Sequence, residues 1–140
     1  MFTNRVLGTT VSAFFLVACS TFSSGPTATV NQWRKAYEQA DFDNVISFCT
    51  NDFITNRGGV EKLKQDMKHS YDMEKADGGG KLVQFANMKE HANGDKADVC
   101  WQMSYRPPGG MKMMVHLVRQ NGKWKIDDFG SEKEAEDCLK

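Results

Sequence analysis

Residues 121–126, Asn-Gly-Lys-Trp-Lys-Ile, decide the fold of this chain together with a second Asn-Gly pair at residues 93–94. Asn-Gly between two alternating apolar and polar segments is a strong signal for a two-residue β-hairpin turn, because both central residues of that turn need positive φ. We therefore predict an antiparallel meander, with residues 107–110 as its middle turn. Its four strands are Lys81 to His91, Lys96 to Arg106, Met111 to Gln120 and Lys123 to Phe129.

The two Asn-Gly pairs also predict which side chains share a face of the sheet. If each pair is the centre of its turn, Ala86 lies opposite Trp101 and Leu117 lies opposite Ile126. The face opposite the apolar one is mixed, and cover by the C-terminal tail or a dimer contact would explain its apolar members, Val83, Phe85 and Met114. Alternation gives one apolar face, made of Leu82, Ala86, Met88, Val99, Trp101, Met103, Tyr105, Met113, Val115, Leu117, Trp124 and Ile126.

Helical spacing of apolar residues predicts three helices before the sheet. The first is capped by Thr27 or Thr29 and ends near Asp41, the second is capped by Asp43, and the third runs from Val60 to about Ala76. Residues 53–55, Phe-Ile-Thr, are predicted to form one short strand. A capping box at residues 131–134 predicts a short C-terminal helix. Helices followed by a curved, mainly antiparallel sheet make an α+β fold.

The order of these elements resembles the cone-shaped NTF2-like superfamily. The resemblance covers about residues 27–129 and rests on residues 40–43 (Ala-Asp-Phe-Asp), 94–99 (Gly-Asp-Lys-Ala-Asp-Val) and 121–126. Within that superfamily, the chain is most similar to the lumazine-binding-like lipoproteins, a group of mostly uncharacterised exported bacterial domains. The resemblance implies three helices packed on a four-strand meander plus one short strand, with a pocket between the layers. It implies no reaction, because the superfamily includes enzymes, binding proteins and inert scaffolds.

The N-terminus has the features of an export signal. Arg5 precedes an uncharged apolar run, Val6 to Val17, that is too short to span a bilayer as a helix. Residues 16–19, Leu-Val-Ala-Cys, resemble the bacterial lipobox, which implies cleavage between Ala18 and Cys19 and lipid on the Cys19 thiol. The alternative is an ordinary signal peptide with a chance cysteine. Ser20 in place of Asp favours the outer membrane over the inner one, by the sorting rule that accompanies the resemblance.

These features divide the chain into a signal peptide (1–18), a lipidated cysteine with a flexible tether (19–29) and a single domain (30–140). The 18 basic and 18 acidic residues balance, which argues against a nucleic-acid partner. Three cysteines remain for a disulfide in the exported domain, and Cys138 could pair with Cys100 or with Cys49. Their spacing matches no zinc motif, so we expect no metal site.

Candidate functional residues are few, and we expect no cofactor. Asp128 is the candidate catalytic base, since it alternates in phase with Trp124 and Ile126 and could point into the cone, although a strand-end carboxylate is ordinarily exposed. Aromatic and methionine side chains could line an apolar pocket, or could equally fill a solid core. The candidate lining residues are Trp33, Tyr37, Gln84, Trp101, Met103, Tyr105, Met113 and Trp124.

The function that these features predict is that of a membrane-anchored, non-catalytic exported lipoprotein. Its lipid on Cys19 would hold it at the membrane, and its domain would bind a small apolar ligand or an envelope partner. Two alternatives remain open. One is a cone-fold hydrolase or isomerase that uses Asp128, and the other is a structural module that forms a homodimer through the outer sheet face.

Overall fold

The structure, a computed structural model, describes residues 25–76, 84–104 and 110–140. The strands form one antiparallel sheet in the order β1-β2-β3-β4, which confirms the predicted meander and α+β class. No helix in the described ranges is long and apolar enough to cross a membrane. The elements are α1 (Pro26–Glu38), α2 (Phe42–Ser47), α3 (Asn51–Asn56), α4 (Val60–Ala76), β1 (Gln84–Asn93), β2 (Lys96–Ser104), β3 (Met111–Gln120), β4 (Lys123–Phe129) and α5 (Glu132–Leu139).

Several sequence predictions lie outside the described residues. They are the signal peptide, its cleavage after Ala18, lipidation of Cys19, most of the tether and the pocket position of Tyr105. The side chain of Gln84 is likewise outside, although its backbone begins β1.

The helical half differs from the prediction at residues 53–55, which belong to α3 and not to a short strand. Thr50 caps this helix, because its Oγ1 accepts a hydrogen bond from the backbone N–H of Phe53 at 3.1 Å. In place of the predicted strand, Cys49 forms one isolated parallel bridge with Ile126 of β4. Asp41, rather than Asp43, caps α2 and accepts from the backbone of Asn44 at 3.2 Å.

The first helix begins at Pro26, four residues before the predicted domain boundary. Proline suits the first helical turn, where its missing N–H would have no intrahelical partner. Thr29 and Val30 are buried, and the backbone N–H of Thr27 donates to the Glu90 carboxylate of β1 at 2.9 Å. The last residues of the predicted tether are therefore part of the packed domain.

The second hairpin has the predicted register from its turn as far as Leu117, and the pairing shifts by one residue beyond it. Asn121 and Gly122 form its turn with φ values of 51° and 75°, and Leu117 pairs with Ile126 as expected. Both residues adopt the left-handed conformation that the predicted two-residue turn requires.

The first hairpin has a different register from the one predicted. Its turn is centred one residue later, so that Asn93 pairs with Lys96. An irregularity between Ala86 and Lys89, where Asn87 has a φ of 54°, shifts the pairing again. Ala86 therefore pairs with Gln102 instead of Trp101, and Phe85 replaces it on the apolar face.

The core lies between α1–α4 and one face of the sheet. Its sheet side chains include Val99, Trp101, Val115, Leu117 and Ile126, all of which are almost fully buried. The helices contribute Val30, Ile46, Phe53 and Leu63.

The opposite face of the sheet is covered by α5. Cys100, Met114 and Ala135 form a second buried cluster there. A disulfide joins Cys100 of β2 to Cys138 of α5, with their Cα atoms 6.2 Å apart, and leaves Cys49 as a buried free thiol. Of the two explanations offered for apolar residues on this face, cover by the C-terminal tail is the one that these contacts support.

Candidate functional site: an apolar cavity between helices and sheet

A cavity of about 420 Å³ lies between the helices and the apolar face of the sheet. This volume falls within the usual range for small-molecule sites, which are mostly apolar and carry a few polar groups. Most of its lining is aromatic, aliphatic or sulfur-containing: Trp33, Tyr37, Val45, Cys49, Phe53, Leu63, Met67, Phe85, Trp101, Met103, Met113, Ile126 and Phe129.

Five of the predicted lining residues line this cavity, namely Trp33, Tyr37, Trp101, Met103 and Met113. Trp33 and Tyr37 reach it together because they are one helical turn apart on α1. Trp101 and Met113 are paired across β2 and β3, so their side chains share a face of the sheet.

Trp124 is not part of the cavity lining. It is a buried core residue, and the Arg119 guanidinium lies 4.7 Å from its ring centroid. The prediction that Trp124 lines a pocket is therefore wrong, and the alternative of a solid core holds at this end of the sheet. Trp124 lies beside the Asn121-Gly122 turn, where it pairs with Arg119.

Asp128 also lies outside the cavity lining. The β3–β4 register shifts between His116 and Leu117, which leaves Asp127 as an extra residue on β4. Asp128 then falls out of phase with Ile126, and its side chain is 65% exposed, 3.8 Å from Arg57. Phe129 takes the inward position instead, so the predicted pocket base is a surface carboxylate.

Two strand irregularities therefore supply lining residues that sequence reasoning missed. Phe85 enters the cavity because of the shift near Asn87, and Phe129 enters because of the extra residue in β4. Asn87 was the sequence signal for the shift in β1, since Asn adopts positive φ more readily than most residues. Cys49 was missed because residues 48–50 bond to the edge of β4, with Thr50 N donating to Ile126 O at 2.9 Å.

Charged side chains at the cavity are engaged with one another. Arg34 Nε lies 3.0 Å from Glu38 Oε1, and its guanidinium stacks 4.3 Å from the Phe85 ring centroid. The Tyr37 hydroxyl donates to Glu74 Oε1 at 3.2 Å. Burial, followed by the nearby Glu74 carboxylate, raises the pKa of Tyr37 well above its ordinary value.

The other charged side chains that line the cavity also contact protein partners. Asp66 pairs with Lys62, and the Arg57 guanidinium lies 5.0 Å from the Phe53 ring centroid. The described charges at the cavity thus have protein partners, whereas the walls between them are apolar.

Two polar groups lie deeper in the apolar wall. Burial raises the pKa of the Cys49 thiol to about 11, although the nearby charges of Lys125 and Arg57 partly offset this effect. The thiol is therefore protonated at neutral pH. The indole Nε1–H of Trp101 is buried and has no hydrogen-bond partner in the described structure. It is an unsatisfied donor on a residue that lines the cavity.

A different cluster brings His91, Cys100 and Cys138 together on the α5 side of the sheet, with potential ligand atoms within 4.8 Å of one another. Both sulfurs belong to the disulfide, and His91 Nε2 lies 3.1 Å from the carbonyl oxygen of Cys138. In this oxidised form the cluster offers no thiolate to a metal ion.

Comparisons with known proteins identify the fold and no more. No protein-family model matches the chain, and no curated protein matches it. A solved NTF2-like transpeptidase from Campylobacter jejuni matches with a TM-score of 0.53 and 17% identity, over 74% of this chain and 99% of that chain. A SEC-C motif containing protein from Rhodopseudomonas palustris matches with a TM-score of 0.50 and 14% identity, over 78% and 80%.

A protein of unknown function from Mycobacterium tuberculosis also matches, with a TM-score of 0.50 and 14% identity, over 71% of this chain and 64% of that chain. Such identities carry the fold alone. The domain therefore has an NTF2-like fold. The narrower resemblance to lumazine-binding-like lipoproteins stays a prediction.

Proposed function

We propose that this chain is an exported lipoprotein, held at the membrane by lipid on Cys19, whose NTF2-like domain holds a small apolar molecule without changing it chemically. The observation that carries the proposal is the cavity of about 420 Å³ with aromatic and methionine walls. Apolar surface of this kind favours ligands that water solvates poorly. Methionine side chains, such as Met67 and Met113, also adapt to ligands of different shapes.

The chemistry of the lining supports holding over catalysis. A base or nucleophile works best with a pKa near the operating pH, whereas burial keeps the Tyr37 hydroxyl and the Cys49 thiol protonated. The lining carboxylates have partners, and Asp128 lies on the surface. Among the described residues that line the cavity, the hydrolase or isomerase alternative therefore finds no unpaired carboxylate and no ionised thiol.

A cavity-filling variant tests whether a ligand is held. Met67 lines the cavity, so Met67→Trp should occupy part of the space that a ligand would use. Met73 lies on the same helix and is 56% exposed, which makes Met73→Trp a matched control. Each full-length protein is purified from membranes and extracted with organic solvent, and the extract is analysed by mass spectrometry. We expect a near-stoichiometric apolar compound from wild type and Met73→Trp, and little from Met67→Trp. Equal amounts from all three would contradict the proposal.

The membrane anchor is supported by the lipobox-like residues 16–19 and is tested separately. Cys19→Ala should move the chain from the membrane to the soluble fraction and abolish labelling by radioactive palmitate, because stable anchoring depends on acyl chains. Cys49→Ala is the matched control, since Cys49 is a buried thiol within the domain. Ser20→Asp should shift the protein from the outer to the inner membrane in a density gradient. Unchanged fractionation of Cys19→Ala would rule out this anchor.

A further inference from the structure

We infer that the molecule held in the cavity is an amphipathic carboxylate, whose apolar body fills the cavity and whose carboxylate group binds the Arg57 guanidinium at the cavity mouth. This inference rests on the proposed function and adds the chemical class of the ligand. Its basis is the position of Arg57, which lines the cavity while 48% of its side chain is exposed. A side chain with both properties lies where the cavity meets solvent, so a bound molecule can reach it.

Aromatic rings of the cavity wall hold the Arg57 guanidinium in place. Its central carbon lies 5.0 Å from the ring centroid of Phe53 and 5.8 Å from that of Phe129, and both rings line the cavity. The two rings pack against each other, with centroids 5.8 Å apart. Contact with an aromatic face uses none of the guanidinium N–H groups as donors, so they keep their capacity to bind an anion.

Among the described charges that line the cavity, Arg57 has the longest ion-pair distance. Its Nη2 lies 3.8 Å from Asp128 Oδ1, which is beyond hydrogen-bond distance. Arg34, by contrast, lies 3.0 Å from Glu38, and the lining carboxylates all have closer partners than Arg57 has. A ligand carboxylate can therefore form with Arg57 the bidentate hydrogen bonds that Asp128 does not form.

The charges near this part of the cavity wall also favour an anion. Burial raises the pKa of the Cys49 thiol, and the positive charges of Lys125 and Arg57 oppose that effect, so both act on a group that lines the cavity. A monoanion fits better than a dianion, because Asp128 would repel a second negative charge. Since Arg57 is half exposed, the carboxylate also keeps part of its hydration, which limits the cost of binding it.

Decanoate and decanamide are the probes that test this inference. They have the same chain and nearly the same shape, and only decanoate is charged at neutral pH. The full-length chain is purified in detergent micelles, and each probe is titrated by isothermal titration calorimetry with empty micelles as the blank. The decisive quantity is the ratio of the wild-type affinity to the variant affinity for the same probe, because partition of the probe into micelles cancels in that ratio.

Arg57→Met replaces the charge with an unbranched apolar side chain. We expect it to weaken decanoate binding about 5- to 10-fold, between the effects of an exposed ion pair and of a buried hydrogen bond to a charged group, and to leave decanamide binding nearly unchanged. Arg119→Met is the matched control, since it removes the same charge from a guanidinium that lies over Trp124, outside the cavity lining. It should leave both affinities unchanged.

A second variant predicts a gain of affinity. Asp128→Asn removes the carboxylate that lies beside Arg57, so it should tighten decanoate binding about 2- to 3-fold, the scale of an exposed ion pair. Decanamide binding should not change. A folding defect would weaken the binding of both probes, so a gain confined to decanoate reports on the charge and not on the integrity of the fold.

The outcomes separate this inference from the proposed function. If Arg57→Met costs decanoate no more affinity than decanamide, and Asp128→Asn brings decanoate no gain, the carboxylate does not bind Arg57 and the inference is overturned, while the apolar site remains. If neither probe binds the wild-type chain, the inference and the proposed function are both overturned.

Discussion

Cys49 shows how burial controls chemistry at the scale of a single residue. Its thiol lines the cavity, and its Sγ lies 3.7 Å from the carbonyl oxygen of Val45. Burial raises its pKa from 9.0 to about 11, which means that folding favours the protonated form. The contribution of this group to stability is therefore fully present below pH 9 and is lost as the pH rises through 11.

This shift predicts the pH dependence of thiol alkylation. The thiolate is the reactive species, so the rate of modification of Cys49 by iodoacetamide should still rise steeply between pH 9 and 10, where an ordinary thiol levels off. The rate is followed by mass spectrometry, with urea-unfolded protein as the control that levels off near its ordinary pKa. If the alkylation rate of the folded protein no longer rises above pH 9, the Cys49 thiol is more exposed to solvent than it is in this structure.

Helix α3 illustrates, at the scale of an element, how a distant contact stabilises a short helix. Thr50 caps it through the backbone of Phe53 and also donates from its Oγ1 to Asp127 Oδ1 at 2.8 Å, across 77 residues of sequence. Thr50 is 1% exposed, so loss of its hydroxyl would leave two partners unsatisfied in a mostly buried setting.

Thr50→Val should therefore lower the free energy of unfolding by about 2 kcal/mol, the combined effect of a lost cap and a lost buried hydrogen bond. The change keeps the shape of the side chain, so packing is nearly unchanged. Thr55→Val is the matched control, because Thr55 lies in the same helix but is exposed, and we expect a change within about 0.5 kcal/mol. Urea denaturation measures both. Similar losses for the two variants would mean that the Thr50 hydroxyl does not stabilise α3.

The C-terminal helix depends on a covalent and a packing contact. The Cys100–Cys138 disulfide closes a loop with a sequence separation of 38, and Ala135 is fully buried against the same sheet face. Replacing both cysteines with alanine should lower the free energy of unfolding by about 3–4 kcal/mol, since the unfolded chain regains the entropy of that loop. Denaturation with and without reductant measures this, and reductant should destabilise wild type but not the variant. A stability that reductant leaves unchanged would contradict the pairing.

The same elements show what the sequence could and could not predict. The turn at Asn121-Gly122 depends on backbone preferences of two adjacent residues, so local reasoning placed it correctly. The shift at Asn87 and the extra residue at Asp127 depend on how whole strands fit their neighbours. Helix α3 was missed because six residues give little periodicity, and its cap is held from Asp127.

The candidate site shows the same difference between features set by local sequence and features set by the pairing of whole strands. Regular alternation and helical spacing placed Trp33, Trp101 and Met113 correctly, whereas Phe85 and Phe129 entered through irregular pairing that no local pattern shows. The cavity itself arises because the helices do not fill the space over the sheet, and that is a property of packed layers and not of any single segment.

At the scale of the whole molecule, the sheet has apolar residues on both faces and both faces are covered. Helices α1–α4 pack on one face around the cavity, and α5 packs on the other over Cys100 and Met114. The edge of β4 bonds to residues 48–50, since Ile126 N donates to Phe48 O at 2.7 Å. Within the described residues, the large exposed hydrophobics are Val60, Met73 and Met111, on two separate elements. We therefore expect a monomer, because little of this surface resembles a dimer interface.

Removal of α5 should make the chain self-associate. A stop after Gly130 would expose Cys100 and Met114 on the central strands and open an apolar face to other copies. Sedimentation velocity in density-matched detergent measures the change, and we expect the full-length chain to sediment as a monomer and the shortened chain as larger species. The alanine variant of Cys100 and Cys138 retains the helix and should stay monomeric, because burial of Ala135 holds α5 in place without the bridge. If that variant self-associates, the disulfide is required to keep α5 on this face of the sheet. If the shortened chain stays monomeric, this face does not drive association.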